Sequence, residues 1–173
     1  MKRLLIVVDY QYDFVSGALG FEGAEKLEEA IYGLVKEAEA CGDEIIFTKD
    51  IHGNDYMDTE EGKNLPVPHC IQGSGGEEFY GRIKKLAARH LVFEKETFGS
   101  LRLGDFIAKH KYDRIDLCGI DLSICVLANA VIAKAAAPNA HIAILLNASG
   151  TGDDVARAHA IASAKRLHIE IAE

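Results

Sequence analysis

Six short apolar runs rich in β-branched residues, spaced along the chain with helix-like stretches between them, constrain this sequence more than any other feature. They are residues 3–8 (RLLIVV), 44–48 (EIIFT), 91–94 (LVFE), 114–118 (RIDLC), 141–146 (HIAILL) and 168–172 (HIEIA). Such alternation is the pattern of βαβ units and a parallel sheet. The runs are mostly apolar and do not strictly alternate, which suits strands covered by helices on both faces. The expected fold is therefore α/β, a three-layer α/β/α arrangement around a six-stranded, mostly parallel sheet. With 173 residues the chain is expected to form one domain over residues 1–173.

The intervening helices are expected over residues 23–40, 76–89, 101–110, 122–136 and 153–166. The first places Leu27, Ile31, Leu34 and Val35 on one stripe, with Gly42 as its stop. Small residues crowd ICVLANAVIAKAAA, so that helix should pack closely on the sheet. Residues 50–75 break the rhythm as a long loop holding two of the three prolines, and connections of that length are usually functional.

A net charge of -8 gives an acidic surface that repels phosphate backbones, which argues against a nucleic-acid partner. The apolar runs fall far short of the roughly 20 residues that cross a bilayer, so no membrane partner is expected. The opening MKRLLIVV is read as a first strand, because Asp9 and Asp13 stand where a leader peptide would continue. Cys41, Cys70, Cys118 and Cys125 show no close-spaced pairing, and a reducing cytoplasm fits them.

Ligands of an open parallel sheet bind at the carboxyl ends of its strands. Those ends carry Asp9, Lys49 with Asp50, Lys95, and the turn from Gly119 to Cys125. Cys125 falls in the first turn of a helix, where unpaired amides favour a thiolate. Gly119 allows a sharp turn before it, so that backbone amides can face an oxyanion. Asp9 could take the thiol proton and pass it to a leaving amine, with Lys95 holding both charges in place. The plain alternatives are a cysteine packed beneath a helix, an aspartate capping a loop and a solvated lysine. Cys118, inside its strand, takes the plain reading.

In the long loop, Asp50 and His52 lie on one side of an extended segment, and His69 follows after sixteen intervening residues, beside Pro66 and Pro68. A carboxylate with two imidazoles suits a divalent ion: zinc, iron(II) or manganese. His90, His110, His141, His159 and His168 lack such neighbours and read as helix or surface residues.

Three stretches, LLIVVDYQYDF, FEKETFGS and CGIDLSICV, resemble the isochorismatase-like cysteine hydrolases, and within them the nicotinamidase-like branch. The likeness spans essentially the whole chain. It implies Asp9 as general acid/base, Lys95 as catalytic lysine, Cys125 as nucleophile, and Phe14 and Phe98 as pocket walls. It also implies a cis peptide between Ile120 and Asp121, with the backbone amides of Asp121 and Cys125 forming an oxyanion hole. DIH, EGK and PVPHC resemble the metal loop of that branch. They imply Asp50, His52, His69 and Glu61 as ligands of a divalent metal, zinc first, with iron or manganese as alternatives.

The activity implied is hydrolysis of nicotinamide to nicotinate and ammonia through a thioester. A related cysteine amidase acting on another small amide or carbamoyl compound, or a non-catalytic relative that binds a metabolite, stays open. The implied partners are a small-molecule amide and further copies of the chain in a homo-oligomer. Asp121 stands where that family usually has a small apolar residue, and Leu65 and Val67 lie in a region often aromatic.

Overall fold

The computed structural model describes residues 1–173. Six strands, β1 (Arg3–Val8), β2 (Glu44–Asp50), β3 (Leu91–Lys95), β4 (Arg114–Ile120), β5 (His141–Gly150) and β6 (Glu170–Ala172), form one sheet. The spatial order is β3-β2-β1-β4-β5-β6. Every pairing is parallel, so the sheet is wholly rather than mostly so. The chain runs outward through β2 and β3, returns to lay β4 beside β1, and runs outward again the other way. A crevice therefore opens at the carboxyl ends of β1 and β4, where the winding reverses.

Seven helices connect the strands: α1 (Tyr12–Val15), α2 (Leu27–Cys41), α3 (Glu60–Asn64), α4 (Ile83–Ala87), α5 (Leu101–His110), α6 (Leu127–Ala136) and α7 (Asp154–Arg166). Side chains alternate across a strand, and β1 shows how this builds two cores. Leu4, Ile6 and Val8 pack with Leu103 and Ile107 of α5 and Ala130 and Ala133 of α6. Leu5 and Val7 pack on the other face with Ile31 and Val35 of α2 and Ile83 and Leu86 of α4. Burial on both faces explains why the strands read as apolar runs. The expected stop at Gly42 is realised, its φ of 73° lying in the left-handed region. No helix is long and apolar enough to cross a membrane.

Some boundaries differ from the expectation. The helix expected over residues 76–89 shrinks to α4, because the chain before it is folded by turns. Gly73 and Gly75 take positive φ of 80° and 89°, and both N–H groups donate to the Glu77 carboxylate at 2.7 Å. The long loop contains α3, whose first turn is capped by Thr59 accepting from the Gly62 N–H at 3.0 Å. Strands β2, β4 and β5 run past their expected ends to Asp50, Ile120 and Gly150. Between β4 and α6, residues Leu122–Val126 form a π-helical turn.

Candidate active site

The ends of β1, β2 and β3 bring Asp9, Asp50 and Lys95 to the crevice, and the turn after β4 adds Cys125. Asp9 follows β1, fully buried, with a φ of 48° that turns it out of the strand direction. The Thr48 hydroxyl donates to Asp9 Oδ1 at 2.6 Å. Lys95, the last residue of β3, brings its ammonium to 2.7 Å from Asp9 Oδ2 and 3.0 Å from Asp50 Oδ1. The same nitrogen lies 4.0 Å from Cys125 Sγ. Four groups from four distant segments thus meet in one buried cluster.

Gly119 makes this approach possible. Its φ is 122°, and a Cβ there would fall 2.0 Å from the Val8 carbonyl oxygen of the neighbouring strand. The Ile120–Asp121 peptide that follows is cis. The Asp121 side chain caps the π turn, accepting from the Ser123 N–H at 2.7 Å, and Cys125 follows within that turn. The backbone N–H of Asp121 has no hydrogen-bond partner in the protein.

Burial dominates the electrostatics. It pushes the Cys125 thiol well up, the Asp9 carboxylate adds to this, and the Lys95 charge opposes it. The resting group is therefore a thiol rather than the thiolate that a helix start alone would favour. Asp9 is also raised, by burial first and by the charge of Asp50, against the opposing pull of Lys95. Lys95 stays charged: burial works against the ammonium, but Asp9 and Asp50 hold its pKa above the ordinary value. For Asp50, burial is outweighed by hydrogen bonds from His52 and His69 and by Lys95, which keep its pKa below the usual carboxylate range. A neutral thiol beside a carboxylate with raised proton affinity suits transfer of the thiol proton during attack.

The long loop brings its four expected residues together. His52 Nε2 lies 2.9 Å and His69 Nε2 3.5 Å from Asp50 Oδ2. Glu61 Oε1 is 3.8 Å from His52 Nε2 and 3.6 Å from His69 Nε2. All four donor atoms lie within 4.8 Å of one another. His69 Nδ1 faces the Val67 carbonyl at 2.8 Å, which turns Nε2 toward the cluster. Glu61 Oε2 is buried without a hydrogen-bond partner. Two imidazoles and two carboxylates, one with an orphaned oxygen, fit a divalent cation.

A cavity of about 320 Å³ joins the two clusters, with Asp50, Glu61 and His69 on one side and Cys125 on the other. Phe14 and Phe98 both line it. Phe14 is buried and packs on His69 with ring centroids 5.4 Å apart, whereas Phe98 sits at the rim with 43% exposure. Leu65 lines the cavity and Val67 does not.

Sequence reasoning missed the residues that hold the loop in place. Gln11 is fully buried; its amide nitrogen donates to the carbonyls of Asp50 at 2.7 Å and Glu77 at 2.8 Å, and its oxygen accepts from the Asp50 N–H at 2.7 Å. Asp13 accepts from the Cys70 N–H at 2.8 Å, next to His69. The available signal was the spacing of Asp9, Gln11 and Asp13 at alternate positions, polar residues just beyond an apolar strand.

Fold and site together define the class, an isochorismatase-like hydrolase acting on amide C–N bonds. The family model described as Isochorismatase domain matches residues 3–172, and the chain belongs to that family. It is 32% identical over 143 residues to the isochorismatase family protein PncA of Bacillus subtilis (strain 168), covering 76% of this chain and 78% of that one. It is 29% identical over 140 residues to a nicotinamidase/pyrazinamidase of Mycobacterium tuberculosis (strain ATCC 25618 / H37Rv), covering 72% and 74%. The crystal structure of nicotinamidase/pyrazinamidase PncA from Bacillus subtilis superposes with a TM-score of 0.89 over 100% of both chains, at 29% identity.

Proposed function

We propose that this chain hydrolyses nicotinamide to nicotinate and ammonia, with Cys125 as nucleophile. The observation that carries this reading is the cavity lined by Cys125 on one side and by Asp50, Glu61 and His69 on the other, with Lys95 and its partner Asp9 behind the wall near Cys125 and His52 completing the ligand group. Likeness to a nicotinamidase/pyrazinamidase of Mycobacterium tuberculosis supports the substrate.

Cys125 Sγ attacks the carboxamide carbon as Asp9 takes its proton. The charge forming on the carbonyl oxygen is met by the backbone N–H groups of Asp121 and Cys125. Such donors aimed at a developing oxyanion commonly contribute about 10²–10³ in rate each. Lys95 balances the charge on Asp9 throughout. Protonated Asp9 then gives its proton to the departing amine, so the bond from carbon to nitrogen breaks and ammonia leaves. Water adds to the thioester with Asp9 again as base, releasing nicotinate and restoring the thiol.

Asp50, His52, Glu61 and His69 would hold a divalent ion, zinc first with iron(II) or manganese as alternatives, and that ion would supply a Lewis acid to anchor the pyridine ring. Phe14 and Phe98 flank the ring. The test is ammonia release from nicotinamide by metal-loaded protein: turnover supports the assignment, and no turnover by folded, loaded protein rejects the substrate.

A further inference from the structure

Four acidic residues line the cavity, Asp50, Glu61, Asp121 and Asp153, and no lysine or arginine does. Two of these charges are accounted for by their neighbours. Asp50 and Glu61 face the two imidazoles and would offset a divalent ion, while Lys95 behind the wall is offset by Asp9. Asp121 and Asp153 have no cationic partner. Asp121 Oδ1 accepts from the Ser123 N–H and hydroxyl, each at 2.7 Å, both neutral donors. Asp153 Oδ1 accepts from the Val155 and Ala156 N–H groups at the start of α7, at 2.8 and 2.9 Å. Of these two, only Asp121 stands four residues from the nucleophile and adjoins it through the same turn.

We propose that Asp121 is a specificity-determining residue whose carboxylate, set in the cavity wall beside Cys125, selects uncharged and cationic amides, rejects anionic ones and helps expel the carboxylate product. The proposal deepens the amidase reading above, on which it rests for the identity of the reaction. In a partly dry cavity an unbalanced charge acts over several ångströms, enough for a difference of about tenfold between an anion and its neutral counterpart. A carbamoyl compound carrying its own carboxylate would meet that charge with no cation to receive it, whereas a neutral heteroaromatic amide would not. The same charge turns against the substrate only after hydrolysis, when the bound molecule has become an anion.

The test measures binding to metal-loaded, full-length Cys125→Ala protein, with and without Asp121→Asn, which keeps an oxygen for the Ser123 N–H. One pair of probes is nicotinamide and nicotinate; the other is benzamidinium and benzoate, which share a ring and differ in charge. The expected result is that Asp121→Asn tightens the anion of each pair about tenfold relative to its partner. An unchanged ratio in both pairs overturns the proposal. If neither pyridine compound binds but the benzamidinium to benzoate ratio shifts, the nicotinamide reading fails and the role of Asp121 stands. Should the double variant not fold, salt decides: raising it from about 0.05 M to about 0.5 M must strengthen benzoate and weaken benzamidinium on Cys125→Ala protein, and the absence of both effects overturns the proposal.

Discussion

Lys95 Nζ lies 3.0 Å from Asp50 Oδ1, while the other oxygen of that carboxylate faces His52 at 2.9 Å. One side chain thus joins the thiol side of the cavity to its metal-type side. Lys95 is 3% exposed at the side chain and also contacts Asp9 at 2.7 Å, so its removal strands two buried carboxylates. Breaking a buried pair by deleting one partner costs about 3–5 kcal/mol. Lys95→Met is expected to lose stability on that scale in urea unfolding and to abolish turnover. A loss of activity with unchanged stability would contradict this structural role.

Gln11 braces the same carboxylate residue from behind. Its side chain satisfies both the N–H and the C=O of Asp50. Gln11→Ala leaves those groups buried without partners, a cost of about 1–3 kcal/mol. Loss of a supporting partner typically weakens metal binding by about 10–100-fold. Competition with a chelator measures the second effect, and wild-type metal affinity in the variant would refute it.

Gly119 has no tolerable substitute. A methyl group there would meet the Val8 carbonyl at 2.0 Å, and the φ of 122° is itself foreign to other residues. Gly119→Ala is expected to lose more than about 3 kcal/mol or to fail to accumulate as folded protein, read by unfolding midpoint and soluble yield.

Glu77 makes a prediction about acid. Burial raises its pKa, but the Gly73 and Gly75 N–H groups that donate to it hold the net value below the ordinary one. A carboxylate whose folded pKa is depressed contributes stability that is complete above its unfolded value, about 4.3, and fades as pH falls through the folded value. Glu77→Gln should therefore be less stable than the parent at about pH 7, with the gap closing as pH drops below about 4. Urea midpoints across that window measure it, and a gap that widens with acid would reverse the sign.

Much of this arrangement is legible in the residues themselves. Asp9, Asp50, Lys95 and Cys125 all stand at or just beyond the carboxyl ends of apolar runs, and a parallel sheet brings such ends together whatever their distance in sequence. Asp50, His52 and His69 could be read from residue type and spacing. What escaped reading depends on contacts that exist only after folding. The bonds from Gln11 to Asp50 and from Asp13 to Cys70 span 39 and 57 residues. The helix expected over residues 76–89 gave way before Ile83 because the Glu77 carboxylate gathers glycine amides into turns, a competition that helical periodicity does not register.

The central claim is that Cys125 forms a thioester with the substrate. Acid quenching during turnover of nicotinamide, followed by peptide mass spectrometry, should find a nicotinoyl group on the peptide containing Cys125 and on none containing Cys41, Cys70 or Cys118. Continued release of ammonia by Cys125→Ala protein, with no acyl group on any cysteine, would contradict the account.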